Sequence, residues 1–120
     1  MDTNFSFQKN NNFDKRKEES LRIKTKYPDR IPIICEVYKD HKNELNLDKN
    51  KYLVPGDITI GQFVYIIRKR IKLSPEKAIY LFTERATLPA TASLIMSVYK
   101  EYSNNDGFLY LNISTESTFG

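Results

Sequence analysis

Hydrophobic residues are spaced most regularly in the segment that follows Thr59. They recur there at intervals of three and four, which places them on one face of a helix. Thr59 and Gln62 have the spacing of a capping box at its start, and cations crowd its end, where they favour the helix dipole. The apolar positions of this predicted helix are Ile60, Phe63, Val64, Ile67 and Ile71.

The other patterns predict two more helices and four strands. A helix over 13–26 ends at Tyr27-Pro28, because proline cannot continue a helix and disfavours helical angles in the residue before it. We expect Phe13, Leu21, Ile23 and Tyr27 to share one side of that helix, opposite its charged residues. A further amphipathic helix is predicted over 91–102, and strands over 31–38, 51–54, 78–83 and 108–113.

The order of these elements is typical of an α+β fold. After the first helix, the order strand, strand, helix, strand, helix, strand is that of the β-grasp, or ubiquitin-like, architecture. Pro32 lacks a backbone N–H, which predicts that its strand lies at an edge of the sheet. We expect an N-terminal extension over 1–12, mobile or forming a short helix around Phe5 and Phe7. The domain with its preceding helix then covers 13–113, and a flexible tail covers 114–120.

Composition narrows the possible functions. The chain has 120 residues, 40% apolar and 28% charged, which indicates one soluble domain. Its net charge of +4 favours acidic partners, anionic membranes or nucleic acid without choosing among them. No apolar run approaches the roughly 18 residues of a membrane span, so we expect any membrane association to be peripheral or covalent.

The residues needed for catalysis or metal binding are scarce. Cys35 is the only cysteine and His41 the only histidine, so no intrachain disulfide or structural zinc site can form from them. Cys35 lies in a β-rich run and His41 in a charged loop, which disfavours a Cys–His nucleophile. We therefore expect no catalytic residue, no metal and no cofactor, and interpret Cys35 as a small buried hydrophobe.

Several short segments form an ordered set of motifs along the chain. The N-terminal half contains Phe13-Asp14-Lys15-Arg16-Lys17, the run from Asp29 to Glu36, and Lys51-Tyr52-Leu53-Val54-Pro55. The remainder contains Asp57, Gly61-Gln62-Phe63, Ile67-Arg68-Lys69-Arg70, Pro75-Glu76-Lys77-Ala78, Asp106-Gly107-Phe108-Leu109-Tyr110 and Ser117-Thr118-Phe119-Gly120. In this order, the segments resemble the autophagy-related ubiquitin-like modifiers, the GABARAP family. The chain differs from the family at Thr83-Glu84-Arg85, beside a possible second partner site near Tyr80, Leu81 and Phe82.

The resemblance implies a ubiquitin-like fold with two extra N-terminal helices and a covalent role for Gly120. A cysteine protease would expose this glycine where residues follow it, and activating and conjugating enzymes would transfer it to phosphatidylethanolamine. Glycine suits a slender tail because it has no Cβ. The protein, expected to be a monomer in solution, would then pass from the cytoplasm to the autophagosome membrane. There it would recruit receptors that carry an aromatic-x-x-aliphatic motif.

The resemblance also implies two pockets for such a peptide, which we expect to add to an edge strand at 31–37 by β-augmentation. The first pocket, for the aromatic residue, would use Glu19, Ile23, Pro32, Ile34, Lys51, Leu53 and Phe108. The second pocket, for the aliphatic residue, would use Tyr52, Val54, Pro55, Ile58, Phe63, Ile66 and Arg70. Lys49 would act as a gate between them, and Lys49, Arg30 and Arg70 would meet acidic residues that flank the motif.

Other interpretations compete with this one. On pattern alone, the sequence favours Ile34, Leu53, Val54, Phe63 and Phe108 as core residues over pocket residues. The chain could be a peptide-binding adaptor that is never conjugated. A basic nucleic-acid-binding domain is a further alternative, but the sequence shows no interleaved aromatic residues for base stacking. We therefore expect no nucleic-acid partner.

Overall fold

The chain folds into a mixed four-stranded sheet with helices on both faces. The computed structural model describes residues 5–41 and 45–115. In these ranges the helices are α1 (Ser6–Asn10), α2 (Phe13–Lys26), α3 (Ile60–Ile71) and α4 (Ile95–Tyr102). The strands are β1 (Arg30–Val37), β2 (Lys51–Pro55), β3 (Tyr80–Thr83) and β4 (Leu109–Ser114), and a single 3₁₀ turn covers Lys39–His41.

The strand order is β2-β1-β4-β3. The two central strands are parallel, with Ile33 opposite Leu109 and Val37 opposite Ile113. β2 runs antiparallel to β1, and β3 runs antiparallel to β4. This topology confirms the predicted α+β, β-grasp architecture.

The prediction that the Pro32 strand lies at an edge is wrong, because β1 is central and β2 is the edge strand. The backbone N–H of Cys35 donates to Asn50 on the β2 side of β1. Successive residues of a strand point their backbone groups to alternate sides, so the nitrogen of Pro32 faces β4. The parallel ladder begins only at Ile33, and the missing N–H therefore removes no ladder hydrogen bond.

The two faces of the sheet are covered by different pairs of helices. One face carries Ile33, Cys35 and Leu109, which belong to the main core together with α3 and α4. The other face carries Ile34, Phe108 and Tyr110, which pack with Phe5, Phe7 and Ile23 from the N-terminal segment and α2. Because β1 is covered on both sides, it has the continuous apolar sequence of a doubly buried strand.

Helix α3 begins as its sequence predicts. The N–H of Gln62 donates to the Thr59 hydroxyl at 3.1 Å, and the Thr59 N–H donates to the Gln62 side chain at 2.8 Å. Both halves of the capping box are therefore present. This cap orients α3 against the sheet and so positions the residues of the predicted second pocket.

Helix α4 starts later than predicted, at Ile95 instead of residue 91. The carbonyl of Thr91 accepts the N–H of Gly61, and the carbonyl of Ser93 accepts the N–H of Ile60. Residues 91–94 therefore supply carbonyl acceptors to the first turn of α3, because the first N–H groups of a helix have no partner within that helix. The pattern of apolar residues gave no sign of these bonds, because they join segments that are distant in the chain.

The N-terminal extension forms a helix of five residues, α1. Such a helix is unstable by itself, and the side chains around it hold it in place. Phe5 and Phe7 are only 2% and 6% exposed, so of the two expected alternatives for this segment, mobile or a short helix, the structure has the short helix. Their rings gain their favourable contacts from the outer face of the sheet, which is formed by residues far along the chain.

Of the side of α2 that was expected to be apolar, Ile23 packs against the sheet and the other three residues do not. Phe13, Leu21 and Tyr27 are exposed, whereas Ser20 is the buried residue of this helix. A polar residue fits there because the Ser20 hydroxyl donates to the backbone carbonyl of Asp106. The close approach also explains Gly107, where an added Cβ would lie within 2.3 Å of the Ser20 hydroxyl oxygen.

Candidate functional site

The edge strand β2 presents two contrasting sides. Lys51 and Leu53 are exposed, while Tyr52 and Val54 are buried beneath them in the main core. Within the part of the chain that the structure describes, β2 ends the strand order, so its outer edge faces no further strand. An edge of this kind can accept an extended peptide by β-augmentation.

The residues of the predicted first pocket lie together on the outer face of the sheet. Lys51 is directly opposite Ile34 and Leu53 is directly opposite Pro32, so these four side chains share one face. Ile34 and Phe108 form the buried floor, with Ile23 of α2 packed against them. At the surface, the Lys51 ammonium contacts the Glu19 carboxylate at 2.6 Å and so connects β2 to α2.

The predicted second pocket lies between β2 and α3. Its inner residues Tyr52, Val54 and Phe63 belong to the main core, and the rings of Tyr52 and Phe63 meet edge to face at 5.6 Å. Pro55 and Ile58 are half-buried, and Ile66 and Arg70 are exposed at the α3 side. These residues can therefore belong both to the core and to the second pocket. The buried ones form the floor of the pocket, and the exposed ones form its rim.

Tyr52 holds the floor of the second pocket in position. Its hydroxyl donates to the backbone carbonyl of Lys49 at 2.9 Å, and the Lys49 ammonium lies 5.2 Å from the centre of the Tyr52 ring. Burial raises the pKa of Tyr52 from its ordinary value of 10 to about 12, and the nearby Cys35 adds to this effect. Tyr52 is therefore a neutral hydrogen-bond donor at physiological pH.

The cations predicted to meet acidic residues are exposed beside the edge strand. Arg70 contacts Asp48 at 3.3 Å across an exposed rim, and such a pair contributes little to stability. Arg30 lies opposite Pro55 at the other end of β2. It lines a surface cavity of about 470 Å³ together with Pro55 and Met96. All three cations are exposed, so their charges are accessible at the surface.

A buried polar network fixes α2 to the turn before β4. The Asp106 carboxylate is fully buried and accepts from Arg16 at 2.6 Å, from the Phe108 N–H at 2.9 Å and from the Tyr110 hydroxyl. Burial by itself would lower the pKa of Arg16, but its hydrogen bonds to Tyr110 and Asp106 outweigh that effect and raise it. The network positions α2, and with it Glu19 and Ile23 of the first pocket.

Sequence reasoning missed two contributors to this site. Phe7 contacts Phe108 and Lys51, both members of the first pocket. Arg16 and Asp106 lie 90 positions apart and form the ion pair of the network. Phe5 and Phe7 are two positions apart, a spacing that could have indicated that both are buried on one side of the segment. No local signal in the sequence links Arg16 to Asp106.

Cys35 is fully buried, and burial raises the pKa of its thiol far above the ordinary value. Across residues 5–41 and 45–115, no three His, Cys, Asp or Glu side chains are grouped to hold a metal ion. None of the helices in those ranges is long and apolar enough to cross a membrane. Gly120 lies outside the described residues.

The β-grasp sheet, its two added N-terminal helices and its exposed edge strand define a ubiquitin-like protein. Residues 15–120 match the family model described as "Autophagy protein Atg8 ubiquitin like". The chain belongs to this family of autophagy-related ubiquitin-like proteins.

Relatives and solved structures agree with this assignment. Autophagy-related protein 8 of Mycosarcoma maydis is 56% identical, with 96% of each chain covered. Its counterpart in Schizosaccharomyces pombe is 57% identical over 95% of this chain and 93% of the relative. The crystal structure of Trypanosoma brucei ATG8 has a TM-score of 0.87 and 36% identity, covering 97% of this chain and 98% of that one. Plasmodium falciparum Atg8, solved in complex with an Atg3 peptide from the same organism, has a TM-score of 0.83 and 32% identity, with coverages of 94% and 98%.

Proposed function

We propose that this protein is a ubiquitin-like modifier that is joined through Gly120 to the amine of phosphatidylethanolamine. In that form it would coat autophagosomal membranes and recruit receptors. The observation that carries the proposal is the family match, which continues through Gly120. The activating enzyme would first join the glycine carboxyl to AMP from ATP, releasing pyrophosphate. The unhindered carboxyl carbon would then be attacked by an enzyme thiol, which displaces AMP, and finally by the lipid amine, which displaces the thiol. In this reaction the protein is the substrate of its activating and conjugating enzymes, and a cysteine protease would process and release it.

Covalent attachment agrees with the energetics of membrane binding. Each buried methylene of a lipid contributes about 0.8 kcal/mol, so a two-chain lipid holds the protein by well over about 10 kcal/mol. A lysine or arginine near an anionic surface contributes about 1 kcal/mol. The lipid would therefore dominate, and the net charge of +4 would influence orientation. The protein would be cytoplasmic before conjugation and membrane-bound after it.

A conjugation assay tests the covalent step. The chain is incubated with the family's activating and conjugating enzymes, ATP and vesicles that contain phosphatidylethanolamine. We expect a faster-migrating, vesicle-bound product that is lost in Gly120→Ala. Gly61→Ala is the matched control, because a Cβ there would lie no closer than 3.4 Å to a neighbouring atom. A wild-type chain that remains unmodified would refute conjugation and leave the unconjugated adaptor as the alternative.

Receptor binding is proposed at the β2 edge. The support is geometric, because exposed Leu53 and Lys51 border the first pocket while Ile66 and Arg70 border the second. A peptide strand alongside β2 would place alternate side chains toward the sheet's face, as β-augmentation requires. Acidic residues that flank the motif would meet Arg30, Lys49 and Arg70 and would raise the association rate more than the affinity. The same surface is the proposed contact for a peptide segment of the conjugating enzyme.

Truncation of Leu53 gives a clean test of this surface. Leu53→Ala should weaken binding of an aromatic-x-x-leucine peptide by at least about tenfold, as expected when an interface anchor is lost. Leu88→Ala is the matched control, since Leu88 is similarly exposed but lies between β3 and α4. Adding Tyr52→Ala would strengthen the loss of binding but would also open a cavity in the core. Equal affinities for wild type and Leu53→Ala in calorimetry would count against the site.

A further inference from the structure

Helix α1 is held on the sheet by a carboxylate from β1. The N–H groups of Ser6 and Phe7 donate to the two oxygens of Glu36 at 2.8 and 3.1 Å. Phe5 occupies the N-cap position, and its side chain makes no capping hydrogen bond. Glu36 therefore accepts hydrogen bonds from N–H groups that have no partner within the first turn of the helix. The position of α1 is therefore specified by a residue that belongs to the central strand.

The docked helix places the Phe7 ring among the residues of the first pocket. The ring meets Phe108 edge to face at 5.2 Å, and the Lys51 ammonium lies 5.3 Å from its centre. Phe7 also shares its apolar cluster with Ile34 and Ile23. Since Lys51 contacts Glu19, Phe7 lies directly beside the ion pair that connects α2 to β2.

The floor of the first pocket is nearly closed in this arrangement. Ile34 and Phe108 are 0% and 1% exposed, and the Phe7 ring supplies part of their cover through its contact with Phe108. An aromatic side chain that reaches this floor must therefore pack along Phe7. The depth available to it depends on how firmly Phe7 and α1 stay in place.

We propose that Phe7 is a wall of the first pocket and determines which aromatic side chain the pocket prefers, with Glu36 as the residue that positions it. The inference rests on the proposed peptide-binding function of this pocket. With Phe7 docked, its ring covers part of Phe108 and limits the space open to a peptide side chain. Removal of Phe7 lengthens the pocket toward α1 and favours the larger indole of tryptophan over phenylalanine.

Two peptides that differ only in their aromatic residue test this proposal. The full 120-residue chain is titrated by calorimetry with acidic peptides that contain Trp-x-x-Leu or Phe-x-x-Leu. The ratio of the Kd for the Phe peptide to the Kd for the Trp peptide should rise about tenfold in Phe7→Ala, a typical effect of reshaping an apolar pocket. Glu36→Gln should shift the ratio in the same direction by a smaller factor, because an amide nitrogen cannot accept the second N–H.

Controls separate a pocket effect from a general loss of structure. Phe13→Ala removes an aromatic ring of the same N-terminal segment that is 43% exposed and should leave the ratio unchanged. Thermal unfolding verifies that each variant folds, and Phe7→Leu replaces Phe7→Ala if the latter does not. A ratio equal to that of wild type in the folded Phe7 variant would overturn the inference. A wild-type chain that binds neither peptide would instead refute the proposed function.

Discussion

The buried ion pair between Arg16 and Asp106 is expected to be a main support of the N-terminal half. We choose Arg16→Met as the perturbation, because methionine keeps the length and apolar character of the stem while removing the charge. The Asp106 carboxylate is 0% exposed and the Arg16 side chain 13%. Without Arg16, a buried carboxylate keeps hydrogen bonds from Tyr110 and the Phe108 N–H but has no opposite charge.

The expected loss of stability is large. Removing one partner of a buried ion pair costs about 3–5 kcal/mol, because the charge left behind is not compensated. Arg22→Met is the matched control, because it removes an arginine from an exposed ion pair on the same helix. Arg22 contacts Glu18 at 3.7 Å on the same helix, with both side chains more than half exposed. An exposed helical pair of that kind contributes about 0.3–0.5 kcal/mol, so Arg22→Met should be nearly neutral.

Urea unfolding followed by circular dichroism measures both variants. A loss of 3–5 kcal/mol is a large fraction of the roughly 5–15 kcal/mol that stabilises a typical domain. Asp106→Asn completes a double-mutant cycle, in which the combined variant should be less destabilised than the sum of the single variants. If Arg16→Met and Arg22→Met lose the same small free energy, the network does not anchor α2 and the reasoning fails.

Three further predictions follow from other parts of the fold. Thr59→Ala should lower the free energy of unfolding by about 1 kcal/mol, since it removes the cap of α3; an unchanged urea midpoint would contradict this. Cys35, fully buried with a raised pKa, should resist thiol reagents in the native protein and react after denaturation, and rapid native labelling would show that this strand is open. Tyr52 keeps its proton up to about pH 12 when folded but only to about 10 when unfolded. Its contribution to stability is therefore complete below pH 10 and is lost as the pH rises toward 12. Between pH 10 and 12, the urea midpoint should fall less steeply with pH in Tyr52→Phe than in the control Tyr65→Phe, which removes the hydroxyl of a tyrosine that is 62% exposed. Equal slopes in the two variants would contradict the raised pKa of Tyr52.

The first pocket shows which parts of a binding site can be predicted from residue patterns and which cannot. The resemblance to the family predicts its members, and the structure brings them together where α2, β1 and β2 meet. The alternation of Phe5 and Phe7 could indicate that both are buried, but no local pattern shows that Phe7 joins the first pocket. Its burial depends on Phe108, which is brought close only when the sheet has formed.

Local residue patterns are sufficient to predict the elements whose signals lie within a short stretch of chain. The capping box of α3, the helix end at Tyr27-Pro28 and the order of helices and strands depend on residues within a few positions of each other. The position of each strand in the sheet could not be predicted in this way, because strand order depends on pairing between segments that are far apart in the chain. The same holds for the ion pair of Arg16 with Asp106 and for the docking of α1. Such contacts join groups that are far apart in the chain, so the periodicity of the sequence cannot predict them.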